Sequence, residues 1–476
     1  MNPTSYRSYR DLPPLAGIAT IPEAMRVGLS IDCCVDRLKR HHWAWRRLHQ
    51  IFVDRLTAEP IYELKMGFSL HAYYCAEHAA AWRQRVAEMR EPPLGLDVAP
   101  HPALEAFFDE ILAAPDTETL LLGLYEHALP ALRDSLRCYL AETNRLVDHP
   151  SVRICRFALL ELEEMLGYGT GCLLRVVPPE KRAGLTPWFE LLGRLLQQAG
   201  GLDGAQPAEA GPLARQFSRI PHVYDPVPRR DGRFPDPYNM GVHAEVFLYD
   251  EKFPAGPKVL MMYYKRLREI DVPEMMASII TETTGKPWNY YRDMTRQLWD
   301  EARHAMMGEI GFVRAGIDWQ QFVRVNFTWS LALNTQLTPL ERHGVLYFIE
   351  QGLMPRKGKR FEWEVGVASG DPFAAMIQDF DWADEVLHAR IGRDWYVSQI
   401  GQAKEAVEYG DKCWSKVLID WHSYRDKGLT RHENWWPALY REWCRVHRLP
   451  PDAAALAYDT SYATVRADLR GVSASG

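Results

Sequence analysis

The chain has 476 residues, of which 47% are hydrophobic and 25% charged, with a formal net charge of −6. That length suits two to three globular domains, and the charge gives no electrostatic case for binding nucleic acid. No apolar run approaches the roughly 18 residues of a membrane-spanning helix, and Met1–Arg10 lacks the apolar segment of a secretory signal. The eight Cys are scattered, with no Cys-x-x-Cys. This spacing fits reduced thiols, so a cytoplasmic protein is expected.

Residues 1–22 contain several Pro and read as an extended arm. Helical periodicity then dominates 23–178, with predicted helices at Asp32–Leu56, Pro60–Arg90, Thr117–Val147 and Pro150–Val176. Short connections between long helices predict an N-terminal helical bundle. His71, Glu77, His78, Glu126, Glu142, Glu161 and Glu164 lie on these helices. None of those Glu has His three residues later, and a structural role is expected for them. Residues 179–257 are rich in Pro and Gly and read as a linker and loop region, with a short strand at Val242–Tyr249. His222 and His243 fall in this region and are left out of the candidate site.

A second helical domain is predicted over 258–400. Its first helix runs from about Lys258 to Thr284, kinked at Pro273, and turns at Gly285-Lys286-Pro287. The second runs from Trp288 to Ala315. The third starts near Trp319, restarts at Pro339 and runs to about Leu353. The fourth starts at Pro372 with Asp371 as its N-cap. The predicted fold is thus all-α: a four-helix bundle following an N-terminal bundle. Residues 401–476 add helices over Gly401–Lys427 and His432–His447, and a tail that becomes polar and disordered from about Arg470.

Two stretches stand out on the second and fourth helices. Asp300-Glu301-Ala302-Arg303-His304-Ala305 and Asp384-Glu385-Val386-Leu387-His388-Ala389 share the pattern Asp-Glu-x-x-His-Ala, 84 residues apart. Asp-Glu occurs four times in the chain, and two of the four carry His three residues later. On a helix, residues i and i+3 sit about 60° apart, so each stretch offers a carboxylate and an imidazole to one point. Two such pairs plus one Glu from each of two other helices make the ligand set of di-iron and di-manganese bundles. Glu301, His304, Glu385 and His388 are therefore candidate metal ligands.

The remaining two ligands follow from height along the helices. Glu301 lies 15 residues after Lys286 and Glu274 lies 12 before it, which makes Glu274 the first-helix candidate. Glu269 is a turn farther away, and Glu282 sits too close to the turn. On the third helix, Glu350 fits if Phe361–Ala368 resumes the helix after the break at Gly352, Pro355 and Gly358; Glu341 fits otherwise. Asp300 and Asp384 point about 100° away from the ligating Glu. They are placed to accept the N–H of a metal-bound His from a neighbouring helix, and Arg303 to pair with Asp300. Hard carboxylates with imidazoles suit iron or manganese, and no Cys accompanies the motif.

From Lys258 to about Gln399, these residues resemble the ferritin-like di-iron carboxylate superfamily. There the first Glu of each half lies roughly thirty residues before Glu-x-x-His, and here the gaps are 27 and 35. Asp300-Glu301-Ala302-Arg303-His304 is similar to the motif of the bacterial multicomponent di-iron monooxygenases, whereas the second copy has Leu387 in place of Arg. Arg268-Glu269 with Glu274, and Ile349-Glu350-Gln351-Gly352-Leu353, resemble an uncharacterised bacterial branch related to tRNA-modifying hydroxylases. The resemblance spans about 140 of the 476 residues. It implies Glu350 rather than Glu341, two Fe ions (or Mn, or one of each) and O₂ as co-substrate.

The expected function is an O₂-activating di-iron oxygenase or oxidase acting on a small organic substrate. A ferroxidase or metal-storage protein fits less well, because storage cages use small subunits. A non-catalytic helical scaffold is the third reading. There is no Gly-x-Gly-x-x-Gly and no Cys cluster for a built-in reductase. A separate electron donor is therefore an expected partner, with a second copy of the chain as a candidate homodimer partner.

Overall fold

The computed structural model describes residues 6–326, 328–354, 358–418 and 421–462. The polar tail expected from Arg470 and the break at Pro355 lie outside the described residues. Among the described residues the secondary structure is helical throughout, with no strand. Val242–Tyr249, read as a strand, is instead the helix Ala244–Tyr249. Its Ala, Glu and Leu favour helix, and six residues hold too few apolar–polar alternations to tell the two periods apart.

The chain divides into two compact units, Met1–Phe52 with His71–Val223, and Val53–Leu70 with Tyr224–Gly476. The first is built on residues 31–52 of the helix Ile31–Leu56, residues 71–89 of the helix Tyr62–Met89, and the helices Pro102–Leu112, Thr117–Leu122, Leu129–Glu142 and His149–Val176. The expected helix Thr117–Val147 ends early because the Asn144 side chain accepts from the backbone N–H of Leu146 and Val147 at 3.0 and 3.1 Å, competing with helical bonding. Residues 179–257 are not one linker. Pro179–Gly184 and Thr186–Gln198 are helices of the first unit, with Pro179 and Pro187 in their first turns, where Pro lacks no needed N–H.

In the second unit seven helices position the site: α1 (Ala255–Arg268), α2 (Asp271–Glu282), α3 (Trp288–Arg314), α4 (Pro339–Gly352), α5 (Lys359–Ala368), α6 (Pro372–Gly392) and α7 (Ala403–Leu418). The predicted first helix is thus broken in two. The ring of Pro273 excludes the carbonyl of residue i−4, which is Glu269, and the helix stops there and restarts at Asp271. α3 packs on α1, α2 and α6; α6 packs on α4 and α5; α4 closes back on α2. Gly308 sets the closest of these approaches, since a Cβ there would lie 2.2 Å from the Leu267 backbone nitrogen. α7 packs against α4. α7 therefore belongs to this unit.

Candidate metal centre

Five of the six predicted ligands converge. One group is Glu301, Glu350, Glu385 and His388, whose donor atoms lie within 4.8 Å of one another, all buried. A second is Glu269, His304 and Asp381, whose donor atoms also lie within 4.8 Å of one another. Glu301 faces both: Oε1 lies 3.1 Å from His388 Nδ1 and Oε2 lies 3.5 Å from His304 Nδ1. The two imidazole rings are 6.0 Å apart, centre to centre.

Each imidazole turns Nδ1 toward the carboxylates and Nε2 away from them. His304 Nε2 lies 3.1 Å from Asp384 Oδ2, and His388 Nε2 lies 3.4 Å from Asp300 Oδ2. The pairing is crossed: the Asp of each motif supports the His of the other. Arg303 donates to Asp300 and, at 2.8 Å, to Asp384, while Arg296 Nε donates to Asp300 at 2.9 and 3.0 Å. A carboxylate on the outer nitrogen fixes the tautomer that leaves the inner one free for a metal.

Electrostatics follow from this crowding. Burial would lower both imidazoles, but Asp384, Glu269 and Glu301 outweigh it and lift His304 to about 10. Asp300, Glu301 and Glu385 likewise lift His388 well above its ordinary value. Burial would raise Glu301, but the two imidazoles beside it hold it well below the usual carboxylate range. Burial would also raise Asp300, which His388 and Arg303 hold low.

Glu274 is not in the cluster. It is fully buried 3.0 Å from Lys65 Nζ, accepts from Arg230 at 3.0 and 3.2 Å, and accepts from Ser330 Oγ at 2.8 Å. The first-helix residue in the cluster is Glu269, at the break. Height along a continuous helix favours Glu274, but the helix breaks at Glu269, and five residues are also 140° of rotation, so both cannot face inward. Gap length carries a usable signal: from Glu269 to Glu301 is 32 residues and from Glu350 to Glu385 is 35, a closer match than 27 and 35. Glu350 is buried, accepting from Gln297 Nε2 at 3.1 Å. Glu341 instead closes a capping box with Thr338 at the start of α4.

Asp381 escaped the sequence reading although 381, 385 and 388 follow the i, i+4, i+7 spacing of one helix face. So did the bases beside it. Lys359 Nζ lies 2.8 and 2.9 Å from the oxygens of Asp381 and 2.6 Å from Glu385 Oε1. Arg266 pairs with Asp381 and, at 2.8 Å, with Glu269 Oε1, and Lys265 pairs with Glu362. All are buried, which no motif announces.

A cavity of about 340 Å³ opens onto Glu269, Glu301, Glu350 and Glu385. Its sides are Val272, Met275, Leu333, Leu346, Ile349 and Leu353. Trp329 stacked on Trp414, at 4.3 Å, and Tyr462 stacked on His243, at 4.0 Å, add further walls. Arg268 lines it too, pairing with Glu245 at 2.5 Å and with Tyr462. His243, left out on sequence, is thus a wall residue.

The histidines of the first unit behave differently. His71 Nδ1 lies 2.8 Å from Tyr125 Oη, His41 Nε2 lies 2.6 Å from Ser135 Oγ and His78 Nε2 lies 2.6 Å from Glu161. Burial lowers His41, His42, His49 and His71 to about 3, so they are neutral core side chains.

The fold and site together define an all-helical protein with a buried Glu/His/Asp cluster that could hold a metal ion. No helix among the described residues is long and apolar enough to cross a membrane. No family model, curated protein or solved structure matches the chain.

Proposed function

We propose that the chain is an O₂-activating non-haem di-iron oxygenase or oxidase of the ferritin-like carboxylate type, acting on a small organic substrate. The observation that carries this reading is a set of buried polar atoms without hydrogen-bond partners: Nδ1 of His304 and His388, and Oε2 of Glu269, Glu350 and Glu385. Buried polar atoms are ordinarily paired, and unpaired ones that converge point to an ion. The donor set, carboxylate oxygen with imidazole and no thiolate, fits iron or manganese. The ring of packed helices α1–α2, α3, α6 and α4 supports the ferritin-like assignment.

Bound ions of this kind would supply electrons to O₂ and the open coordination positions at which it is reduced. The protein groups do the rest. Glu301 presents one oxygen toward each half of the centre. Asp300, Asp384 and Arg303 hold the imidazoles. The apolar cavity seats the substrate's body against the carboxylates and keeps bulk water away from them. At about 30 Å³ per water-sized volume, the cavity suits a molecule of a dozen or so non-hydrogen atoms. Reducing equivalents come from the substrate or from a separate donor.

Anaerobic reconstitution with Fe(II), followed by metal analysis and exposure to air, tests this reading. Two ions per chain at saturation and an O₂-dependent change in absorbance are expected. Iron uptake far above two per chain would mean storage, and no bound metal would leave a scaffold.

A further inference from the structure

The two halves of the centre are not equally open. In the Glu301, Glu350, Glu385 and His388 half, the inward atoms Glu350 Oε2, Glu385 Oε2 and His388 Nδ1 have no hydrogen-bond partner. In the Glu269, His304 and Asp381 half, Glu269 Oε2 and His304 Nδ1 are likewise without a partner, but the third donor, Asp381, is already taken. Both oxygens of Asp381 accept from Lys359 Nζ, and Arg266 pairs with the same carboxylate and with Glu269 Oε1. Lys359 reaches across to Glu385 Oε1 as well, so one side chain ties the halves together.

These groups are fixed in place. Lys359 and Arg266 are fully buried, as are Asp381 and Glu362 beside them. A guanidinium stays charged at any accessible pH, so Arg266 repels a dication entering that half. Lys359 must also release Asp381 before a metal can use it.

We infer that the centre fills in order: one ion binds first at Glu301, Glu350, Glu385 and His388, and Lys359 occupies the other half until a second ion displaces its amine from Asp381. The inference rests on the metal-centre reading above. It adds Lys359 as a positioning residue that sets the affinity of the second ion without ligating the first. The resting protein at low metal supply then carries one ion and one lysine amine. Because O₂ reduction at a paired centre needs both ions, metal supply would gate activity.

Calorimetry with Mn(II) under argon tests this on the full chain, comparing wild type with Lys359→Met. The wild type should bind one ion at least tenfold more tightly than the second. Lys359→Met should tighten the second at least tenfold and the first by less, because Lys359 meets both oxygens of Asp381 but only one of Glu385, so the gap between the two ions narrows. Two equal ions in the wild type, or a second ion unmoved in the variant, would overturn the order of filling while leaving the metal centre standing. No ion bound at all would overturn both. Should Lys359→Met fail to fold, wild type with one equivalent of Mn(II) decides: an anomalous-scattering map should show a single peak beside His388. Equal peaks beside His304 and His388 would overturn the inference.

Discussion

Glu269 and Glu274 differ by five positions, and their substitutions should fail in opposite ways. Glu274→Gln removes the charge that Lys65 and Arg230 face, with all three side chains buried. Breaking a buried pair on one side costs about 3–5 kcal/mol, because the partner charge stays buried. Asp271 softens the loss. Burial raises it to about 7, with Arg230 opposing and the Glu274 charge adding to the rise. Without Glu274 it ionises more readily and compensates Arg230, which leaves Lys65 as the uncompensated group. The lower end, about 3 kcal/mol, is therefore expected, and at 2–4 °C per kcal/mol the melting temperature falls by about 6–12 °C. Metal content should stay at the wild-type value. Glu269→Gln should do the reverse, weakening the ion beside His304 with a smaller thermal shift. Differential scanning calorimetry with metal analysis of both proteins reads out the contrast. A Glu274→Gln protein that melts normally but has lost metal would refute the assignment.

Other outcomes follow from the same contacts. His304 sits at about 10 without metal, and an ion needs it neutral, so proton release accompanies binding. Metal affinity should rise at least about tenfold per pH unit between pH 6 and 8, and a flat profile by calorimetry would contradict this. Asp384→Asn leaves His304 without its carboxylate and should weaken metal binding by about 10–100-fold, measured by competition with a chelator; an unchanged affinity would show that Asp384 does not orient the ring. Glu341→Ala should cost about 1 kcal/mol as a lost cap in urea unfolding and leave metal content intact. In the first unit, burial depresses His41, His42, His49 and His71 to about 3. The unfolded chain then takes up protons first as pH falls through about 6.5, so stability drops on that side. Each imidazole accounts for about 1.4 kcal/mol by pH 5.5 relative to pH 7.5. Hydrogen exchange of Ile31–Leu56 and Tyr62–Met89 should accelerate over that interval, and identical protection at both pH values would refute it.

What was legible on the sequence was local. Glu301 with His304 and Glu385 with His388 are pairs one helical turn apart, and helix geometry alone aims them together. The supporting role of Asp300 and Asp384 was legible for the same reason. Contributions from elsewhere depended on where helices break. Pro273 announced a kink, but the consequence, that Glu269 rather than Glu274 turns inward, depends on the path after the break. Lys359, Arg266 and Glu362 carry no signal of burial, because charged side chains on amphipathic helices usually face water. Tyr462 and Trp414 reach the cavity from segments that looked peripheral, and only tertiary packing brings them in.

The crossed pairing of Asp300 with His388 and Asp384 with His304 makes the two motifs hostages to each other. Damage to either copy costs its own ligands and also frees an imidazole in the other. A lineage shedding this centre would therefore lose both copies in quick succession. Chains related to this one should carry the doublet whole or not at all, with single survivors rare.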